Sequence, residues 1–404
     1  MASGKVVRST PRPREVNPLW GLLAIGFGHL ALETLGNFLP ILYPSLVDRL
    51  GLSYTQVGLI ALGHSVAGSF PQPVVGWLAD RKGGRWMAWT CIAWVGIWAA
   101  GVGYAWNFAT LLLCASLMGL ASAVYHPIGA SGGSAVMPRK PGAATAVFSV
   151  LGSIGAALSP VLVTWLVGRN GPPGTVWLLP IGLLSGLTLW QFLPPMRPKP
   201  RSEAASRTAS EARRASLLAL GLVIVISMGQ ASFIRILRSY TPLLFAARGL
   251  DEAVASYVLF IMSICGAVGT VVGGVLSDRV GPTRVLMLAW SLVVPVAALF
   301  YRASGAYTFI LASVVGFLSC MTFPVLIVLA SRVWGHRPAL GNGLTLGIGW
   351  GSAGLGVTLA GMLADHSGLL VAMDASLVAA GLVAVSGLAL HVVLTREGAV
   401  GGVA

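Results

Sequence analysis

Charge is what this sequence has least of. Of its 404 residues only 9% are Asp, Glu, Lys or Arg, against 56% hydrophobic. A water-soluble globular chain carries roughly 25% charged residues. The deficit excludes a soluble fold of this size, because too little polar surface exists to coat it. Acidic residues are the scarcest, 12 against 26 Lys and Arg. Cysteine is scarce too: Cys91, Cys114, Cys265 and Cys320 all lie inside apolar runs, which excludes a disulfide framework or a cysteine metal site. No G-x-x-x-x-G-K-[ST] loop is present, so nothing supports direct use of ATP. No His-Glu-x-x-His is present, so there is no metal-enzyme signature and no cofactor is expected. The first apolar run, beginning near Leu19, is too long for a signal-peptide core and lacks a small-residue cleavage site.

What is present is a series of apolar stretches, each long enough to cross a bilayer, which takes about 20 residues. The spans are expected at 19–46, 55–79, 86–105, 108–136, 142–168 and 174–194, then at 215–247, 253–277, 284–302, 305–333, 339–366 and 369–394. Twelve spans joined by short loops put both termini on one side. The fold class is therefore an all-α membrane protein with the lipid bilayer as its surroundings. Glycine, at 52 residues, suits close helix packing in lipid. Prolines inside the apolar runs are tolerated there as kinks.

Basic residues sort by side. Twenty of the 26 Lys and Arg fall on the side of the termini, four (Arg49, Arg169, Arg248 and Arg302) on the other, and Arg235 and Arg238 fall within a span. The positive-inside rule places the basic side in the cytoplasm. The surplus is thus a topology signal, and no nucleic-acid partner is expected. The implied organisation is a basic tail (1–18), a six-helix half (19–194), a Pro-, Ser- and Arg-rich linker (195–214), a second six-helix half (215–394) and a tail (395–404).

The halves repeat with an offset of 198. It aligns Pro44 with Pro242, Gly51 with Gly249, Gly76 with Gly274, Asp80 with Asp278, Arg81 with Arg279, Gly83 with Gly281 and Arg139 with Arg337. Two parallel halves imply a pseudo-two-fold axis along the membrane normal and a site near the midplane between them. Gly76-Trp77-Leu78-Ala79-Asp80-Arg81-Lys82-Gly83-Gly84-Arg85 recurs as Gly274-Val275-Leu276-Ser277-Asp278-Arg279-Val280-Gly281, then Arg284. Gly76 and Gly274 are expected to allow close helix contact, Gly83 and Gly281 to form tight turns. The aspartates suit a helix N-terminus or a basic partner. Such a cluster can latch one conformation and break in another, or be a solvated loop. The doubled motif resembles the cytoplasmic loop signature of the major facilitator superfamily.

A closer resemblance rests on His29-Leu30-Ala31-Leu32-Glu33, Pro40, Tyr43-Pro44, Gly51-Leu52-Ser53-Tyr54-Thr55-Gln56-Val57-Gly58, Gln72-Pro73-Val74-Val75-Gly76, Val124-Tyr125-His126-Pro127, Gly354-Leu355-Gly356 and Ala364-Asp365-His366. Together these resemble the fosmidomycin resistance protein family, a drug-efflux branch of the superfamily. The resemblance spans nearly the whole chain. It implies the major facilitator fold, a multi-pass inner-membrane location and antiport of a small molecule, with antibiotic resistance as the associated trait. Gly155 with Ser159-Pro160 resembles the antiporter signature only weakly.

Ionisable groups at membrane depth are costly and are functional candidates by default. Glu33 lies near the centre of the first span, with His29 one turn earlier on the same face. His64 and His126 fall at comparable depth, and Gln72 is the remaining polar candidate for the central cavity. Glu33, assisted by His29 or His126, can carry a coupling proton; the other reading is a hydrogen bond bracing the first span against the fourth. Arg235 and Arg238 share one face of the seventh span, with Tyr240 beside them. They can hold an anionic substrate, snorkel to the outer surface or pair with an acid such as Asp374. The sequence thus points to a transporter, not an enzyme. It is expected to work as a monomer that exchanges a small molecule for protons, with import or metabolite export as the other directions.

Overall fold

Fifteen α-helices and one 3-10 turn build the twelve spans in the computed structural model, which describes residues 18–137, 140–193, 196, 217–334 and 338–396. The first half comprises α1 (Pro18–Gly36), α2 (Leu39–Leu50), α3 (Tyr54–Ser69), α4 (Gln72–Lys82), α5 (Arg85–Val102), α6 (Phe108–Val136), α7 (Pro141–Asn170) and, after the 3-10 turn at Pro172–Trp177, α8 (Leu178–Phe192). The second comprises α9 (Leu217–Ala247), α10 (Glu252–Val280), α11 (Pro282–Phe300), α12 (Ala306–Met321), α13 (Phe323–Val333), α14 (Pro338–Ser367) and α15 (Leu369–Arg396). No strand occurs among the described residues. Most of the linker, both outer tails and the aligned Arg139 and Arg337 lie outside them.

Three expected spans are not single helices. The first breaks at Asn37–Phe38, the second at Phe70–Pro71 and the tenth at Thr322. Each break has proline at or just after it: Pro40, Pro71 with Pro73, and Pro324. Proline donates no N–H and frees the carbonyl a turn before it. Within a membrane such backbone persists only where protein or a wet cavity satisfies it. The breaks in the first and second spans flank the polar groups described below.

The 198-residue repeat is built into the backbone. Gly51 and Gly249 end α2 and α9 with φ of 63° and 72°, and Gly83 and Gly281 have φ of 80° and 94°. These values suit only glycine without strain. After the first pair, Ser53 caps α3, its hydroxyl accepting from the Gln56 amide at 3.1 Å while the Gln56 side chain accepts from the Ser53 amide at 3.0 Å. The aligned Asp251 caps α10 by accepting from the Ala253 amide at 2.9 Å. Gly51-Leu52-Ser53-Tyr54-Thr55-Gln56 is thus a helix stop followed by a capping box.

The expectation for Gly76 and Gly274 is corrected. A Cβ at either would meet only a proline, Pro127 at 3.9 Å or Pro324 at 3.8 Å, which is ordinary van der Waals contact. Neither glycine is required by a close neighbour in this conformation. The aspartates and first arginines of the motif also sit on the last helical turns of α4 and α10, not in loops.

Two faces can be distinguished: the basic face, bearing Asp80 to Arg85 and Asp278 to Arg284, and the opposite face, bearing Gly51 and Gly249. Toward the opposite face the halves close on each other through α3 with α14, α2 with α9 and α7 with α10. A Cβ on Gly58 would lie 2.4 Å from the Thr358 backbone, and one on Gly354 2.3 Å from that of Leu62, so α3 and α14 touch backbone to backbone. At the basic face α4 packs on α6, and α13 packs on helices of its own half. Among the described residues the halves meet toward the opposite face, and α4 and α13 at the basic face pack within their own halves.

Candidate functional site

Two polar centres lie at mid-depth, one inside the first half and one on the seam. In the first, α1 places His29 and Glu33 one turn apart, and α6 brings His126 against them. Glu33 Oε1 lies 3.6 Å from His29 Nε2 and 3.3 Å from His126 Nε2, and the two Nε2 atoms are 3.2 Å apart. His29 stacks on Phe148 of α7 at 3.9 Å between ring centres. Gly152 gives its ring room, for a Cβ there would lie 2.2 Å from His29 Cε1.

The tautomer of His29 follows from the backbone: its Nδ1 lies 2.8 Å from the Phe148 carbonyl, which only accepts, so Nδ1 carries the hydrogen and Nε2 is a lone pair in the neutral ring. His126 Nδ1 lies 2.9 Å from both the carbonyl and the hydroxyl of Ser122 and can donate to the one or accept from the other. His29 Nε2 and the Glu33 carboxylate are thus two acceptors, which a hydrogen on His126 Nε2 or a bound proton bridges. The three ligating atoms of the triad all lie within 4.8 Å of one another, close enough to share a cation; a proton is the smallest that suffices. Side-chain exposures of 19% for Glu33 and 34% for His126 keep the cluster within reach of solvent.

Asn37, at the break after α1, donates to Glu33 Oε2 at 2.6 Å and to the Glu33 carbonyl at 3.0 Å. It also lines the second centre, a cavity of about 30 Å³ walled by Asn37, Tyr43, His64, Arg235, Arg238 and Ser263, among others. Arg235 Nη2 donates to His64 Nδ1 at 2.8 Å, tying α9 to α3 across the seam. Among the described residues neither Arg235 nor Arg238 has a carboxylate within ion-pair distance. Asp374 instead holds Arg302, at 2.6 and 2.8 Å, so it does not neutralise Arg238. Two guanidinium charges therefore stand beside a cavity in the membrane interior without an acidic partner.

Other expected members lie elsewhere. Tyr240 is fully buried, and its hydroxyl contacts the carbonyls of Val357 (2.9 Å) and Tyr54 (3.1 Å), bracing the closed seam and not the cavity. Gln72 donates to the Gly68 carbonyl at 2.9 Å, across the break between α3 and α4, and does not join the triad. His64 belongs with the arginines and not with Glu33. At the basic face Asp80 and Asp278 are exposed and form no ion pair among the described residues. Arg81 stacks over Trp77 at 4.2 Å, Arg85 donates to the Trp190 carbonyl at 2.5 Å and Arg284 reaches the Val280 carbonyl at 3.5 Å. Arg279 is exposed.

Asn37 and Asp365 were not singled out from the sequence as site residues. Asn37 sits four residues after Glu33, the same spacing that linked His29 to Glu33, so the signal was there. The role of Asp365, which accepts from the backbone of α3 in the other half, has no local signature.

A sequence profile described as Major Facilitator Superfamily matches residues 22–355. The fosmidomycin resistance protein of Escherichia coli (strain K12) is 28% identical over 362 residues, covering 87% of this chain and 88% of that one. The 3-(3-hydroxy-phenyl)propionate transporter of the same organism is 27% identical over 373 residues, covering 87% and 88%. Among solved structures, a bacterial homologue of the human lysosomal transporter Spinster, inward-facing and unoccupied, superposes with a TM-score of 0.76 at 15% identity, over 94% of this chain and 98% of that one.

Proposed function

The chain belongs to the major facilitator superfamily and is a multi-pass membrane transporter, and from that premise we propose that it exports a small organic acid in exchange for protons. The observation that carries this reading is the Arg235–Arg238 pair, two half-buried guanidinium groups beside the cavity with no carboxylate within ion-pair distance among the described residues. A charge at this depth is costly unless paired, and the arginine fork matches carboxylate or phosphonate oxygens two at a time. The names of the two curated relatives mention fosmidomycin and 3-(3-hydroxy-phenyl)propionate, both acids, which supports the class without naming the compound.

The proton half of the exchange rests on the triad. A carboxylate beside two imidazole nitrogens, at 3.6 and 3.3 Å, is a group that can take up and release a proton, and Asn37 joins that carboxylate to the cavity wall. The basic face, with most of the Lys and Arg, is the cytoplasmic one, so the conformation described is open to the cytoplasm. An acid enters there, the halves rock, and the site opens outward. Protons enter the triad from outside and leave to the cytoplasm as the carrier returns. The functional unit is a monomer, since both centres lie within one chain. The same arginine pair fits uptake of an organic acid, which is the second reading.

The test is a panel of fosmidomycin, aromatic acids and their neutral amides, given to transporter-depleted cells with and without this chain, then to inverted vesicles with an imposed pH gradient. Export predicts accumulation of acids in inverted vesicles and its loss in the Arg235→Gln, Arg238→Gln double variant, with neutral compounds unmoved. Accumulation that survives the double variant would sink the anion reading. Accumulation only in right-side-out vesicles would establish uptake.

A further inference from the structure

His64 is an odd partner for Arg235. It is neutral, it comes from the other half, and it occupies the donor edge of a guanidinium that faces a cavity. The ring belongs to α3 of the first half while its Nδ1 lone pair accepts from α9 of the second. Nothing stronger competes for Arg235 among the described residues: Glu33 is engaged by two imidazoles and Asn37, and Asp374 by Arg302.

The cavity sets the second constraint. It is small, about 30 Å³, and His64, Arg235 and Arg238 share its wall, so an acid group that reaches Arg235 there meets His64. An oxyanion adds opposite charge and can engage two guanidinium N–H groups at once, where the imidazole offers one lone pair and no charge, so the side chain it displaces most readily is the neutral imidazole already on that guanidinium. Resting on the anion reading above, we infer that His64 is the resident occupant of the substrate's acid subsite: it ties Arg235 across the seam in the empty carrier, and the acid group takes its place and releases that tie. Binding and loosening of the seam are then one event. His64 is a positioning residue that acts through Arg235, not a contact of the bound acid.

The experiment uses the full chain, purified in detergent, with phenylphosphonate and benzoate as probes and benzamide as the neutral control. A reporter cysteine replaces Leu39, a buried cavity-wall residue, in a background lacking the four native cysteines. Reconstituted protein is labelled with an impermeant maleimide from the opposite face. His64→Leu removes the competitor and is expected to tighten acid binding roughly tenfold, to speed labelling at position 39 and to leave benzamide unaffected. His64→Asn, whose Oδ1 lies as many bonds from Cβ as the Nδ1 it replaces and can accept from Arg235, is expected to behave as the parent protein. His64→Ala, which has no acceptor, serves as the second test should the Leu variant not fold. The inference is overturned if His64→Leu weakens acid binding as Arg235→Gln does, because the imidazole would then touch the acid. It is equally overturned if His64→Leu changes neither affinity nor labelling. Acid affinity that survives Arg235→Gln with Arg238→Gln, or its absence in the parent protein, brings down the anion reading instead.

Discussion

Asp365 caps a helix that belongs to the other half, its carboxylate accepting from the amides of Tyr54 at 2.8 Å and Thr55 at 2.9 Å and from the Thr55 hydroxyl at 2.5 Å. α3 therefore has two caps, Ser53 from its own half and Asp365 from α14 of the other. Only the second is lost when the halves part at this face, so it stabilises the closed conformation alone. A helix cap contributes about 0.5–2 kcal/mol. Asp365→Ala is expected to raise the population open at the opposite face by roughly 2- to 30-fold. Spin labels at Asp48 and Leu250, in different halves on that face, would read this as growth of a longer distance. An unchanged distribution would remove Asp365 from the closure.

Asp80 and Asp278 predict the reverse. Both are exposed and form no ion pair among the described residues in this conformation. A latch at the basic face would engage only when that face closes. Asp80→Asn is accordingly expected to lower the population open at the opposite face in the same spin-label assay. Combined with Asp365→Ala it should largely restore the parent balance, since distant sites add. A rise with Asp80→Asn would show that the loop motif is not a latch for the alternate state.

Glu33 and Asn37 separate coupling from binding. Glu33→Gln cannot donate or lose a proton at the triad, yet its amide can still bond with Asn37. Uphill transport on a pH gradient should be abolished while exchange of labelled for unlabelled substrate persists. Asn37→Ala removes the 2.6 Å bond to Glu33 and should weaken gradient-driven transport with a smaller effect on exchange. Uphill transport by the Gln variant would leave the triad as a brace between the first and fourth spans.

Gly152 sets the position of His29. Adding a Cβ 2.2 Å from the ring forces the ring off Phe148, and overpacking of this kind costs about 1–3 kcal/mol. Gly152→Ala should lower the apparent unfolding temperature in detergent and reduce gradient-driven transport. The clash disappears once the ring is gone. The double variant Gly152→Ala, His29→Ala should therefore be no less stable than His29→Ala alone, and a purely additive loss would contradict the close contact.

How much of this was legible follows the range of each interaction. The turn glycines Gly83 and Gly281 and the stop at Gly51 were readable because positive φ and capping are local demands. His29 with Glu33 was readable because helical spacing alone puts them together. The break in the second span was not, although Pro71 and Pro73 sit there, because membrane helices often carry proline without breaking. His64 shows the limit most clearly. Depth alone grouped it with Glu33 and His126, and depth does not say which way a side chain faces around its helix.

The sequence by itself determined that the chain lives in lipid, that it crosses about twelve times, that its halves repeat and where its turns lie. These properties follow from hydropathy, charge and single-residue stereochemistry. Only the tertiary structure decided that His126 meets Glu33, that His64 answers Arg235, that Tyr240 braces the seam and that Asp374 belongs to Arg302. It also decided which face is closed. The physical reason is that lipid tails and protein interiors are equally apolar. A span reads as hydrophobic on every side, and the rotation that selects each polar partner is set only when the helices pack.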